Sequence, residues 1–307
     1  MKSKRILVAL LIFAGSVSAQ SGGTAPKLFA SPEEAATALI AATSQNNQQE
    51  LLTILGAKAK DLIAQGDGIA DPEKREEFFK MAKEAFHVVP DPFKLNRFQI
   101  AVGNENWPVP LPIVKVNGGY RFDPAEAELE ILARRIGANE LEAIEDLRDF
   151  VEAEREYSYS DLNKNGMRDY AQQIISTAGK HDGLYWEEKP GDPPCPLAKV
   201  VGRSTAAGYS TPSTGQSPTY SGYTFHILKA QGPDAAGGTR DYVVRGSMIG
   251  GFAFVAYPAE YGRTGVKTFL VNQDGVVLEK DLGPNTKVLA AAMKRYNPDK
   301  SWHESPY

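Results

Sequence analysis

Twice along this chain, apolar residues at helical spacing give way to runs rich in β-branched and aromatic residues. That repeated switch limits the fold more than any single motif. The first helical signal is "SPEEAATALIAATSQNN". Ser31 is a good N-cap, Pro32 suits the first turn, Glu34 stands at capping-box spacing, and Ala35, Leu39 and Ala42 line one face. "QQELLTILG" stops at Gly56 and "AKAKDLIAQG" at Gly66, each the expected C′ residue. Asp71 caps "DPEKREEFFKMAKEAF", with Pro72 at N1 and an apolar stripe of Phe78, Phe79, Met81, Ala82, Ala85 and Phe86. The period then changes. "RFQIAVG" and "PLPIVKVNGGYRFD" read as strands, with a hairpin turn at Asn117-Gly118-Gly119. Asp123 and Pro124 restart a helix that carries Leu129, Leu132 and Ile136 on one side. Arg134 and Arg135 fall in its last turn, where cations suit the helix dipole. Gly137 ends this helix, and the domain boundary is placed there.

The second half repeats the scheme. Asn139 caps "ELEAIEDLRDFVEAEREYS", whose stripe is Leu141, Ile144, Leu147 and Val151, extended by Tyr157. An Asp/Asn loop and a short helix follow. Residues 187–222 hold too much Pro, Gly, Ser and Thr to continue a helix. Three strand-like runs come next: "GYTFHILKA", "DYVVRGSMIGGFAFVAYP" and the hairpin "VKTFLVNQDGVVLEKDL", with a mobile loop "QGPDAAGGTR" after the first. A helix from Asn285, "NTKVLAAAMKRYN", closes the chain. The expected class is therefore α+β, with one antiparallel domain over 31–137 and another over 138–307.

The N-terminal residues limit where such a chain works. Lys2, Lys4 and Arg5 precede the short apolar run Ile6 to Val17, and Val17 and Ala19 stand at a small-residue cleavage pattern. Residues 1–19 read as a secretory signal peptide and 20–30 as a flexible leader. Cleavage leaves 31 Lys and Arg against 38 Asp and Glu, a net of −7. With no basic block, that balance argues against nucleic acid and anionic membrane surfaces, and no later stretch reaches the ~20 apolar residues of a membrane span. The expected location is periplasmic or secreted. The one cysteine, Cys195, cannot close an internal disulfide, so stability rests on buried apolar area, and about 290 residues suffice for two cores.

Helices followed by an antiparallel sheet over 31–137 resemble the cone-shaped NTF2-like fold. The helix and meander of 138–307, above all "YGRTGVKTFLVNQDGVV", resemble the soluble part of type IV pilins and pseudopilins. No hydrophobic assembly helix with a prepilin peptidase site precedes residue 139, so filament assembly is not implied. Across the whole chain, from about Phe29 to Trp302, "NENWPVPLPIVK", "RRIGANELEAI", "KHDGLYW" and "DYVVRGSMIGGFAFVAYPAEYG" resemble the uncharacterised secreted family called domain of unknown function 2950. That resemblance implies export and no particular activity.

Chemistry concentrates in "SDLNKNGMRDYAQ". Read as a twelve-position calcium loop, Asp161, Asn163 and Asn165 are positions 1, 3 and 5, and Gly166 makes the sharp turn. Met167 offers its carbonyl at 7, and Asp169 stands at 9. Calcium wants about six to eight oxygens, but position 12 is Gln172 rather than Glu, which implies weak binding of about 0.1–1 mM. Glu156 or Asp182 are candidates for the missing oxygen. The competing reading is an Asx-rich turn with no cation. In "GKHDGLYWEE", His181, Asp182 and Glu187 are candidate acid, base or ligand groups, against a plain turn before a core strand. His226, His87 and His303 read as structural or isolated, and Cys195 as a passive thiol. No nucleophile elbow, zinc helix, P-loop or paired-cysteine motif is present. The expected function is a non-enzymatic envelope protein that binds a partner protein or small ligand through loops 187–222 and 231–240. The alternative is a hydrolase or isomerase working in the cone of the first domain with carboxylates and Trp107.

Overall fold

The computed structural model describes residues 25–60, 72–206 and 217–307. The expected signal cleavage, the first part of the leader, the stop at Gly66, the cap at Asp71 and residues 207–216 of the loop-rich region lie outside them. The fold is α+β, with antiparallel sheets, and it divides into two compact units, one reaching Glu130 and one beginning at Ile131.

In the first unit, α1 (Pro32–Ser44) and α2 (Gln48–Leu55) lie against a five-stranded antiparallel sheet. Ser31 caps α1 by accepting from Glu34 N, while Glu34 Oε2 reaches back past the cap to Ala30 N at 2.9 Å. Gly56 takes φ +82° and its N–H closes α2 on Leu52 O at 2.8 Å. A short 3-10 turn, Ala57–Ala59, follows, then α3 (Pro72–Glu84). The strands are β1 (Phe86–Pro90), β2 (Arg97–Val102), β3 (Trp107–Pro108), β4 (Ile113–Val116) and β5 (Gly119–Phe122), ordered β1-β2-β4-β5 with β3 on β2. Phe86 therefore opens a strand rather than closing the helical stripe, because Val88 and Val89 after it favour the extended ladder with Ile100 and Gln99. At the hairpin, a Cβ on Gly119 would stand 2.4 Å from Phe29 O, and glycine there lets the leader backbone pair with Tyr120. Leu39, Leu51, Ile54 and Leu55 of the helices and Ile100, Val102, Ile113 and Phe122 of the strands are fully buried.

The division between units falls inside α4 (Pro124–Ser158), a continuous helix of 35 residues. Gly137 does not end a helix, and Asn139 caps none. A lone glycine costs only ~1 kcal/mol against alanine, which the packing of its flanks outweighs. Asn139 instead donates to Thr264 O at 2.8 Å, and Glu140 Oε1 accepts from Val266 N and Lys267 N. Arg134 and Arg135 consequently sit in a helix interior, away from any terminal dipole.

The second unit's main sheet is a six-stranded antiparallel meander ordered β15-β14-β13-β12-β7-β6. Its strands are β6 (Thr219–Tyr220), β7 (Tyr223–Leu228), β12 (Ala253–Pro258), β13 (Lys267–Asn272), β14 (Leu278–Asp281) and β15 (His303–Glu304). Between β7 and β12 lie two small ladders, β8 (Ala230–Gln231) with β9 (Arg240–Asp241) and β10 (Val243–Val244) with β11 (Ser247–Met248). Ile144, Leu147, Phe150 and Val151 of α4 share the core with this sheet, and the Phe150 ring meets Phe225 and Phe254 at 5.1 and 5.3 Å.

Four expectations fail here. No helix follows the Asp/Asn loop, because Tyr170 bridges Met248 and Ile175 bridges Tyr185 in extended backbone. A helix does form inside the loop-rich region, α5 (Ala198–Ala206), because Leu197, Val200 and Val201 recur at helical spacing and are buried. The closing helix is only α6 (Thr286–Ala291). Asn285 gives it no side-chain cap, and Tyr296 N is drawn to Ala230 O at 2.8 Å. Loop 231–240 is latched rather than mobile. Gln231 donates to Ala236 O and Gly238 O, and Asn297 and Asp234 exchange two bonds.

Candidate functional site

The Asp/Asn loop begins where α4 ends. Asp161 sets its shape by accepting Asn165 N on Oδ1 and Gly166 N on Oδ2, both at 2.9 Å. Asn163 Oδ1 also accepts from Asn165 N, and Asn165 Oδ1 from Met167 N at 2.8 Å. These are interlocked Asx turns, and Lys164 and Gly166 take φ of +57° and +83° to complete them. The two asparagine amides then converge on Asp169: Asn163 Nδ2 donates to Oδ1 at 3.1 Å and Asn165 Nδ2 to Oδ2 at 2.8 Å. Asp169 is 3% exposed. The side chains of Asp161, Asn163, Asn165 and Asp169 are thus brought together, whereas the Met167 side chain is exposed and contributes only backbone. The loop leans on the β10–β11 hairpin through Tyr170 N to Met248 O and Gln172 Nε2 to Gly246 O.

The sequence reading missed Glu154. It is 0% exposed on the last turns of α4, its Oε2 accepts Ala171 N at 2.8 Å, and its buried Oε1 has no hydrogen-bond partner among the described residues. A buried polar atom left unpaired costs about 1–3 kcal/mol. Burial, then the negative charge of Asp169, holds this carboxyl well above the ordinary range. A signal was present: Glu154 stands three and four residues after Val151 and Phe150, on the apolar stripe rather than opposite it. The two residues first considered for the missing oxygen face elsewhere. Glu156 is exposed, and Asp182 accepts from Thr177 N at 2.7 Å and Gln173 Nε2 at 2.8 Å. Among the described residues, no group of three or more His, Cys, Asp or Glu side chains is arranged to share a metal ion. Any cation at the loop would depend on amide and carbonyl oxygens beside its few carboxylates.

The remaining candidates do not converge. His181 lies against the Trp186 ring at 4.6 Å with Nε2 3.7 Å from Asp192, while Asp182 faces Thr177 and Glu187 is exposed. His226 Nε2 meets Met293 O at 3.1 Å, and burial lowers its pKa, so it is a neutral sheet residue. The Cys195 thiol is buried against Leu184 O, and burial pushes its pKa up, which makes it a poor nucleophile. Trp107 is 52% exposed on β3. An open depression of about 660 Å³ lies beside the latched loop, lined by Asp234, Pro298, Asp299, Lys300 and Ser301. A smaller one of about 170 Å³ lies along Gln172 to Ile175 and Phe225 to Ile227.

These features define a two-unit α+β protein with antiparallel sheets and, among the described residues, no helix long and apolar enough to cross a membrane. The chain belongs to the family described as protein of unknown function (DUF2950), whose model matches residues 26–305. No curated protein and no solved structure matches it.

Proposed function

We propose that this is an exported protein, periplasmic or secreted, that binds rather than catalyses and takes a calcium ion at the loop 161–169. The observation that carries the calcium reading is the turn itself. The backbone winds about Gly166 and gathers Asp161, Asn163 and Asn165 with the buried Asp169, the oxygen chemistry a hard cation needs. Binding is weak because the twelfth position is Gln172. Thermal unfolding of the full exported chain, with calcium and with chelator, tests it. At ten times a dissociation constant of about 0.1–1 mM, calcium adds ~1.4 kcal/mol, or roughly 2–4 °C in Tm. An unchanged Tm at millimolar calcium leaves only the Asx turns.

A partner protein or small ligand of the envelope is assigned to the latched loop 231–240. Its support is the depression along Asp234 and residues 298–301, whose rim Gln231 and Asn297 hold in place. Binding is favoured over catalysis in the first unit because buried apolar side chains, from Leu39 and Ile54 to Ile113 and Phe122, occupy the space between helices and sheet. An NTF2-like first unit and a pilin-like second unit remain the finer reading. The helices laid on a sheet support the first, and the core that α4 shares with an antiparallel meander supports the second.

A further inference from the structure

We infer that Glu154 is the inner carboxylate of the cation site, supplying from α4 the oxygen that Gln172 does not supply from the loop. The inference rests on the calcium reading above and names a ligand for it. Leu147, Phe150 and Val151 precede Glu154 on its helix face, and all are buried in the core. A carboxyl in that row loses its hydration and needs a compensating partner. One oxygen has one: Oε2 accepts Ala171 N, which holds the group at the inner end of the loop, two residues past Asp169. The other, Oε1, is buried with no hydrogen-bond partner among the described residues. Asp169 follows from the loop side, its charge acts on Glu154, and among the described residues its carboxylate receives only the side-chain amides of Asn163 and Asn165. Among the described residues, the partners of these two carboxyls are backbone and side-chain amides and not cations. Two carboxyl groups, one of them carrying a buried orphan oxygen and the other held by two carboxamides of the loop, offer the oxygens that a hard divalent cation takes.

The test is a calcium titration of the full exported chain by calorimetry, repeated on Glu154→Gln. Glutamine keeps the shape and an acceptor for Ala171 N but removes the charge. The inference expects calcium affinity to fall at least tenfold while the variant in chelator melts no lower than the wild type. Equal affinities in the two proteins overturn it and leave the calcium reading standing. No calcium binding by the wild type overturns both. Should Glu154→Gln fail to fold, the unmodified chain labelled with ¹³C at glutamate carboxyls decides. Calcium must then move one buried glutamate carboxyl resonance, and an unchanged spectrum in saturating calcium overturns the inference.

Discussion

The hairpin loop Asn272-Gln273-Asp274-Gly275 and the loop 161–169 are made of the same residue types, and each turns on a glycine at positive φ. In the hairpin, Gln273 reaches Arg155 and Phe252, but its Asn272 and Asp274 bond each other. Asn272 Oδ1 accepts Asp274 N, Asn272 Nδ2 donates to Asp274 Oδ2, and Asp274 stays exposed. The longer loop uses equivalent turns but carries Asp169 inward, where its charge acts on a second buried carboxyl, Glu154 of α4. Turn chemistry is thus set by the residues of a loop, whereas the electrostatic cost is set by what the loop is pressed against. A turn that buries charge has a reason to bind a cation. A turn that leaves its charge in water has none.

One expected effect breaks the comparison at its centre. In chelator, Asp169→Ala strands two asparagine amides and should cost about 1–3 kcal/mol in urea unfolding. Asp274→Ala should stay within about 0.5 kcal/mol, as an exposed substitution does. Equal losses would show that burial is not what separates the loops.

The same contrast exists on one arginine. Arg203 Nη2 binds Asp146 at 2.9 Å and Asp149 at 2.7 Å, but Asp146 is 3% exposed on its side chain and Asp149 32%. Burial outweighs the attraction of the partly exposed Arg203 and raises the Asp146 pKa from 3.8 to about 7. The folded protein therefore keeps a proton that the unfolded chain releases above pH 3.8, so this contribution to stability is full below that pH and is lost as pH rises through 7. Relative to wild type, Asp146→Asn should gain stability between pH 4 and 7, by at most about 1.4 kcal/mol per pH unit, and level off above. A difference that stays flat across that range would refute the account.

The smallest effects compare two glycines. Gly166→Ala forces a side chain to φ +83° and should cost about 1–2 kcal/mol, although none of the described residues lies within 4 Å of the added Cβ. Gly137→Ala, equally unobstructed but helical, should gain about 0.5–1 kcal/mol. Denaturant midpoints of the two variants should move in opposite directions.

Much of the local structure was legible in the residues. Ser31, Gly56 and the hairpin signals at 117–119 and 272–275 act on backbone within a few positions, and each works as its residue type requires. The loop at 161–169 was legible in the same way, down to the turn at Gly166. Longer-range features were not. Gly137 has the composition of a stop signal, but Asn139 and Glu140 are held by residues 264–267, more than a hundred positions later, and the helix continues. Helix α5 grows in a segment whose composition disfavours it because its apolar residues join the second unit's core. Glu154 was readable as a charge on an apolar stripe, but only its hydrogen bond from Ala171 N gave it a place beside the loop.

By itself the sequence determined the α+β class, the caps and the tight turns, because these depend on propensity, periodicity and hydrogen bonds between near neighbours. Tertiary structure decided where α4 ends, which carboxylates lose water and which helix side chain stands behind the Asp/Asn loop. Those outcomes follow from burial, and burial is a property of segments meeting across the chain that no local spacing encodes.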